Sequence, residues 1–297
     1  MINLDKPRDA DIHTLADFAE LLCLITHDRI CDRETLSDHL HDIGDMHLSD
    51  DQLNDCYSQL AWRKNAFEEF YPFTLDLGER SLQAIENFTY KHEAYVLILL
   101  CANLPFIEAR QKIADYFEKL SLNALSEFWP KNGEATPFGK NNTVFKGTKA
   151  ERINHLASLI GADGRCRENT FRPGDSGDGG IDLAAWATLD SFERRNIFSG
   201  LAQCACSRTD WPLKQTSITA TRLTNMLMSS APWVEMLFIP HCFRDNNGRW
   251  AVEGEVAGVV VFDRLRILLN INLPDNWKEA DPPPVLEDFL NFRMSLV

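Results

Sequence analysis

A chain of 297 residues, 44% of them hydrophobic, is long enough to bury two ordinary cores, and two domains are expected. Its formal charge of -14 is unevenly spread: residues 1–130 carry 24 acidic against 11 basic side chains, residues 131–297 carry 20 against 19. The first half is thereby a poor candidate for a phosphate-binding surface, whereas the near-neutral second half has room for a local basic groove.

The longest apolar run, Ala94 to Ala102, is about half of the roughly 18 residues that a membrane span requires. The opening Met-Ile-Asn-Leu-Asp-Lys-Pro has neither the basic nor the apolar segment of an export signal, so a cytoplasmic protein with no membrane partner is expected. Eight cysteines are scattered in apolar surroundings without Cys-x-x-Cys spacing, a pattern of reduced buried thiols rather than of a disulfide framework or a zinc site.

In chain order, Ile12, Leu15, Phe18, Ala19, Leu22 and Ile25 recur at three- and four-residue spacing and predict a helix over 11–26. Further helices are predicted over 33–43, 50–70, 78–103 and 105–128, with Asp32 and Ser49 placed to cap. Together these make an acidic all-helical domain over 1–130. Residues 129–146 concentrate Pro, Gly and Asn and break every period, so 131–147 is expected to be a linker. Beyond it the elements change character: a helix over 148–160, a short strand near 166–171, a polar Gly/Asp turn over 173–180, strands over 181–186 and 197–205, a helix over 211–229 and a strand over 233–239. The order αβββαβ implies a mixed sheet flanked by helices, with a C-terminal helix near 286–296. The fold class expected for the whole chain is α+β, its second domain covering 148–297.

The chemistry-bearing residues cluster in that second domain. Gly177-Asp178-Gly179-Gly180-Ile181-Asp182-Leu183 puts a carboxylate at the head of an apolar strand, where an acid is costly unless it is paired or metal-bound. The next strand ends in Gln203-Cys204, offering an amide and the Cys204 carbonyl. Glu151, near the start of the preceding helix, can reach the same edge as a third oxygen ligand. Such hard-oxygen donors suit Mg²⁺ or Mn²⁺, the ions that phosphodiester hydrolysis employs. Asp175 and Asp178 read instead as turn residues.

The helix with Glu151, the Gly-Asp-Gly-Gly-Ile-Asp-Leu segment and the strand ending in Gln-Cys resemble the Mrr-type branch of the PD-(D/E)XK restriction-endonuclease-like nucleases, over about 145–240. The resemblance assigns the helix-borne acid to Glu151, the principal metal-binding aspartate to Asp182 and the third-motif ligand to Gln203. It implies a Mg²⁺-dependent endonuclease acting on double-stranded DNA, in bacterial defence against phage or other foreign DNA, with a partner ATPase or sensor docked on the acidic domain; self-association is the other use of that domain. One departure is definite. The family lysine falls on Ala205, whose methyl group cannot stabilise developing negative charge, so Arg208 or Lys214 must send a cation back, with Arg208 the better placed in sequence. Without such a cation the domain becomes a degenerate nuclease fold that binds DNA or scaffolds a partner complex. RNA as substrate also stays open.

Other groups read as structural. Asp38, His39, His41, Asp42 and His47 have metal-ligand types but no fixed spacing logic. Cys204-x-Cys206, Trp233 and Trp250 read as packing residues. The Phe262-Asp-Arg-Leu-Arg266 cluster, through Arg264 and Arg266, is a candidate phosphate contact. No Walker loop, dinucleotide fingerprint or nucleophile elbow is present, so nucleotide hydrolysis and esterase chemistry are not expected.

Overall fold

Asp11 starts the first helix by accepting hydrogen bonds from the backbone N–H groups of His13 and Thr14, each 3.1 Å long, and α1 (Ile12–Ile25) follows. The structure, a computed structural model, describes residues 7, 9, 11–44, 46–76, 78, 80–104, 110–139, 141–172, 174, 175, 177–283 and 285–294. Among these, no helix is long and apolar enough to cross a membrane. The chain is α+β and divides into two compact units that interleave in sequence: Met1–Ala114 with Pro240–Val252 and Leu273–Val297, and Asp115–Ile239 with Glu253–Asn272.

In the first unit α1 is buried from His13 through Ile25, so it runs through the core instead of lying on it as a one-sided stripe would. That placement buries two carboxylates, and both are paired. Arg63 of α3 (Asp50–Phe67) donates to Asp17 at 2.8 Å and lies 3.0 Å from Glu20, and the hydroxyls of Tyr71 and Tyr95 donate to Glu20 at 3.0 and 2.9 Å. The helix α2 (Arg33–Gly44) matches its predicted span to within a residue, while α3 stops at Phe67, where Glu68 takes a φ of +45° and a short 3-10 turn begins.

The single helix expected over 78–103 is not formed. Residues 73–84 instead give β2 (Phe73–Asp76) and β3 (Ser81–Ala84), which with β1 (Ile30–Asp32) make a small antiparallel sheet in the order β1-β3-β2. The buried residues of β3, Leu82 and Ala84, alternate with exposed Gln83, a period of two that decides for strand. Only 90–102 of the expected span is helical, as α4 (Tyr90–Ala102), buried on all sides from Ala94 onward. Of the helix expected over 105–128, residues 105–109 lie outside the described residues and the remainder is α5 (Arg110–Phe128). The C-terminal helix is shorter than predicted: α10 (Trp277–Ala280) and α11 (Leu286–Asn291) close the unit, and 295–297 are outside the described residues.

The second unit is built on a mixed five-stranded sheet in the order β10-β9-β7-β6-β4. The expected linker supplies its edge: β4 (Gly133–Pro137) pairs antiparallel with β6 (Leu183–Ala187), joining Glu134 to Trp186 and Pro137 to Leu183. Pro137 is tolerated because an edge strand leaves one row of N–H groups without a ladder partner. β7 (Phe198–Cys204) runs antiparallel to β6 and parallel to β9 (Val234–Phe238), which pairs in parallel with β10 (Val260–Phe262). All five residues of β6 are buried, as befits a strand covered on both faces. One face meets a core with Phe138, Ile153, Leu156, Leu201 and Trp233, to which α6 (Lys149–Leu159) contributes.

Other local departures share one cause, short-range side-chain hydrogen bonds that outcompete a longer period. The strand expected at 166–171 lies earlier, as β5 (Ala162–Gly164), because the N–H of Arg167 turns onto the Thr170 hydroxyl at 2.7 Å. The helix expected over 211–229 breaks into α7 (Trp211–Lys214), a 3-10 turn and α8 (Ala220–Leu223), restarted by the Thr219 cap, before β8 (Leu227–Ser229) pairs with β5. The helix α9 (Arg264–Asn270) follows β10.

Two glycines decide how closely α5 and its following turn approach the sheet. A Cβ on Gly200 in β7 would sit 2.8 Å from the Trp129 ring and 2.6 Å from Met236, and one on Gly133 would sit 2.5 Å from the same ring. Trp129 stacks on Phe198 at 4.7 Å through the space they leave. Gly200→Ala is therefore expected to cost about 1–3 kcal/mol by overpacking, measured as a lower denaturant midpoint with an unchanged m value.

Candidate active site

The chain enters β6 through two side-chain-closed turns. Asp175 accepts from the N–H of Gly177 at 3.1 Å and Asp178 from that of Gly180 at 2.7 Å, the turn roles expected of both. Gly179 and Gly180 have φ of +78° and +90°, and a Cβ on Gly180 would press on Ser217 at 3.1 Å. Glycine is required there on both counts.

Asp182 comes next and is pinned by its own backbone. Its N–H donates to Ala202 O at 2.9 Å, and its carbonyl accepts from Phe138 and Gly139 at 2.7 and 3.0 Å, tying it to β7 and to the end of β4. Its carboxylate Oδ2 accepts from the Cys204 N–H at 2.7 Å. A Cβ on Gly139 would lie 3.1 Å from Oδ1, so glycine keeps that oxygen uncovered. Burial pushes the Asp182 carboxyl up to about 7; the Cys204 N–H works against this, Glu118 and Asp178 add to it, and Lys214 opposes it.

Glu118, on α5, was not among the residues the sequence pointed to. Its carboxylate accepts from the Asn141 amide at 2.8 Å, and the same amide also donates to the Asp115 carbonyl, so the loop after β4 is clamped to α5 with the carboxylate in place. The signal for it lay in the expected linker. Once Gly133–Pro137 is a strand paired to β6, the helix immediately before the sheet is α5 rather than α6, and its acid beside Asp182 is Glu118.

Gln203 lies at the end of β7, next to Cys204 whose N–H holds Asp182. It is 8% exposed, and its Oε1 is buried with no hydrogen-bond partner among the described residues. A buried acceptor without a donor is costly and marks a place where a cation or water is wanted. Burial keeps the Cys204 thiol well above the ordinary thiol range, with Asp182 and Glu118 adding to the effect. Ala205 is buried and its N–H donates to Phe238 O at 2.9 Å.

The remaining candidates fall elsewhere. Glu151 closes the cap of α6: its Oε2 accepts from the Thr148 N–H at 2.7 Å and hydroxyl at 3.0 Å, which lowers its carboxyl below the ordinary range. The helix-borne acid whose charge reaches Asp182 is thus Glu118. Of the two candidate cations, Lys214 is exposed and acts on Asp182, whereas Arg208 is half-buried. Arg264 is fully buried and cannot present its guanidinium to a phosphate, and Arg266 donates to the Val261 carbonyl at 2.7 Å. The burial of Arg264 runs contrary to the expectation of phosphate contact there, while Arg266 is half-buried. Trp233 is a core residue donating to Ile218 O at 3.0 Å, and Trp250 carries the Arg244 guanidinium 3.6 Å above its ring. The rings of His41 and His47 lie 4.7 Å apart.

Among the described residues no three of His, Cys, Asp and Glu come together as a metal-holding group. A divalent ion here would therefore depend on oxygen donors of mixed type: the Asp182 carboxylate, Gln203 Oε1, the Cys204 carbonyl and Glu118. The unpartnered Oε1 and the two neighbouring carboxylates fit a hard cation.

No family model and no curated protein matches the chain. A solved structure of MspJI restriction endonuclease in complex with a 27-mer oligonucleotide is similar over 69% of this chain, at 15% sequence identity and a TM-score of 0.34. The chain spans 36% of the length of that protein.

The raised carboxyl has a stability consequence of definite sign. Folded Asp182 holds its proton up to about pH 7, while the unfolded chain releases it near 4, so its contribution is greatest below about pH 4 and is lost as pH rises through 7. In metal-free buffer Asp182→Asn is expected to be more stable than the unmodified protein at pH 8, by up to about 4 kcal/mol, with the gap shrinking towards pH 4. Thermal melts across that range measure it; a gap that does not vary with pH contradicts a desolvated carboxylate.

Proposed function

We propose that the second unit is a metal-dependent endonuclease of the PD-(D/E)XK type acting on double-stranded DNA. The observation that carries this reading is the desolvated Asp182 carboxylate, next to the orphaned Gln203 Oε1 and within the field of Glu118, at one end of the central β6–β7 pair. A desolvated carboxylate beside a like charge is unfavourable in low dielectric and is the kind of perturbed group that clusters at functional sites.

In this reading Asp182, Gln203 and Glu118 hold Mg²⁺ or Mn²⁺. When bound, such an ion lowers the pKa of water and offsets the charge that builds on the scissile phosphate. The chain's own groups do the rest. The Cys204 N–H fixes Asp182 Oδ2, and the lack of a Cβ at Gly139 leaves room beside Oδ1. Asn141 holds Glu118 in register. Lys214, rather than Arg208, takes the electrostatic role of the missing motif lysine, since its charge favours the Asp182 carboxylate. Ala205 itself can supply no charge, which is the observation that favours a second reading: a degenerate nuclease fold that binds DNA as a subunit of a larger complex. The acidic first unit is proposed as the docking surface for a partner ATPase or sensor, or for a second copy of the chain, in defence against foreign DNA.

With Mg²⁺ or Mn²⁺ the purified protein is expected to nick or cut plasmid DNA, and Asp182→Ala to abolish cutting. Glu118→Gln and Lys214→Met should each lower the rate by about 10²-fold or more. Glu151→Gln, which loosens only a helix cap, should stay within about threefold. Equal loss in Glu151→Gln and Glu118→Gln contradicts the assignment of the helix acid. Metal-independent DNA retention by the unmodified and Asp182→Ala proteins alike, with no cutting, favours the scaffold reading, and RNA offered in parallel decides the substrate.

A further inference from the structure

A recess of about 1110 Å³ opens beside the start of α6, entirely within the second unit and separate from the groups around Asp182. Five cations line it (Lys146, Lys149, Arg152, Arg167 and Arg172) against three carboxylates. Two of the three are already engaged: Glu151 in the α6 cap, Asp175 in an ion pair with Lys149 at 3.1 Å. Glu168 remains. Lys149 also lies over the Phe171 ring at 4.4 Å, and Arg152 donates to Gly177 O at 3.1 Å, so these two cations build the wall. Lys146, Arg167 and Arg172 are exposed at the rim. In a chain of net charge -14 this local excess of positive charge is not a reflection of composition.

The recess wall continues into the turn that leads to Asp182. A Cβ on Gly177 would lie 3.6 Å from Lys149 Nζ, and one on Gly179 would lie 3.7 Å from Ile153 and 3.9 Å from Lys149. Gly177 and Asp182 are separated by at most about 17 Å of extended chain, roughly half the ~34 Å repeat of a duplex turn. One DNA molecule can therefore touch both. The volume exceeds the roughly 300–1,000 Å³ of small-ligand pockets, and the cations sit at its rim instead of converging on a point.

We propose that this rim is the phosphate-binding track of the domain: Lys146, Arg167 and Arg172 take backbone phosphates of duplex DNA and align it along the Gly177–Gly180 turn towards Asp182. The choice of ligand rests on the nuclease reading above, but the binding claim stands or falls separately. Phosphate contacts of this kind position DNA without reading its sequence.

The test is equilibrium binding of a short fluorescent duplex DNA to the full chain in EDTA, where no cutting occurs, as a function of salt. The triple variant Lys146→Gln, Arg167→Gln, Arg172→Gln is compared with a control of equal charge change in the turn before β4 and the β6–β7 connection, Lys131→Gln, Arg194→Gln, Arg195→Gln. Loss of three phosphate contacts should flatten the slope of log K against log[salt] by about 2.7 and weaken binding at least tenfold at about 0.1 M salt, with the control within about threefold of the unmodified protein. Matching melting curves establish that all three proteins are folded. Equal binding by the rim variant and the unmodified protein overturns the proposal, as does an equal loss in the control, or a tenfold preference for an RNA duplex of the same sequence. Failure of the nuclease reading looks different: no cutting by the unmodified protein with Mg²⁺ or Mn²⁺, while the rim variant still loses DNA binding.

Discussion

The second unit is organised around one unfavourable burial. A carboxylate is taken out of water at the head of β6, where the Cys204 N–H donates to it, while a second carboxylate, Glu118, acts on it from α5. Left to itself such an arrangement tends to be removed by relaxation or by protonation. Here it cannot relax, because the Asp182 backbone is bonded to Ala202 on one side and to Phe138 and Gly139 on the other. The fold fixes the main chain, and the side chain accepts the electrostatic consequence. Titratable groups perturbed in this way, by desolvation together with a neighbouring like charge, are candidates for functional sites.

The rest of the sheet serves that placement. β6 is buried along its whole length and sits between two antiparallel neighbours, so its register, and with it the depth of Asp182, is set from both edges. Trp129, seated over Gly133 and Gly200, sets how close the end of α5 approaches β7 and therefore where Glu118 stands. The first unit solves a similar problem in the opposite way. Asp17 and Glu20 are buried as deeply as Asp182, but Arg63 and two tyrosine hydroxyls satisfy them. The Asp17–Glu20 pair is compensated by a cation and two hydroxyls, whereas Asp182 has like charges beside a backbone donor.

Much of the fold was legible from periodicity, and the misreadings have a common origin. The stripe at Ile12 to Ile25 gave α1 with its Asp11 cap, and Ser49 capped α3 as expected. The strands carrying Asp182 and Gln203 lie within two residues of their predicted starts. The errors fall where strands are short: β3 inside a presumed helix, β2 in the gap just before it, and β4 inside a presumed linker rich in Pro and Gly. A strand of four or five residues has too few positions to establish a period of its own and is defined by the partner it pairs with. With β4 unread, α5 and its Glu118 also went unconsidered beside Asp182.

The sequence by itself determined which residue types stand at the head of one strand and the end of the next, because Gly177 to Asp182 and Gln203-Cys204 are local patterns with local geometry. It also determined that Ala205 has no charge to offer. What only the tertiary structure decided is which distant groups act on Asp182. Glu118 and Lys214 lie 64 and 32 positions away along the chain, and the effect of each depends on how a helix crosses a sheet. The burial of Arg264 was likewise invisible locally, since a basic residue at a helix start reads as solvent-facing until the surrounding fold encloses it. Residue chemistry is written position by position; the field that a residue experiences is a sum over its neighbours in space, and those are assigned by folding.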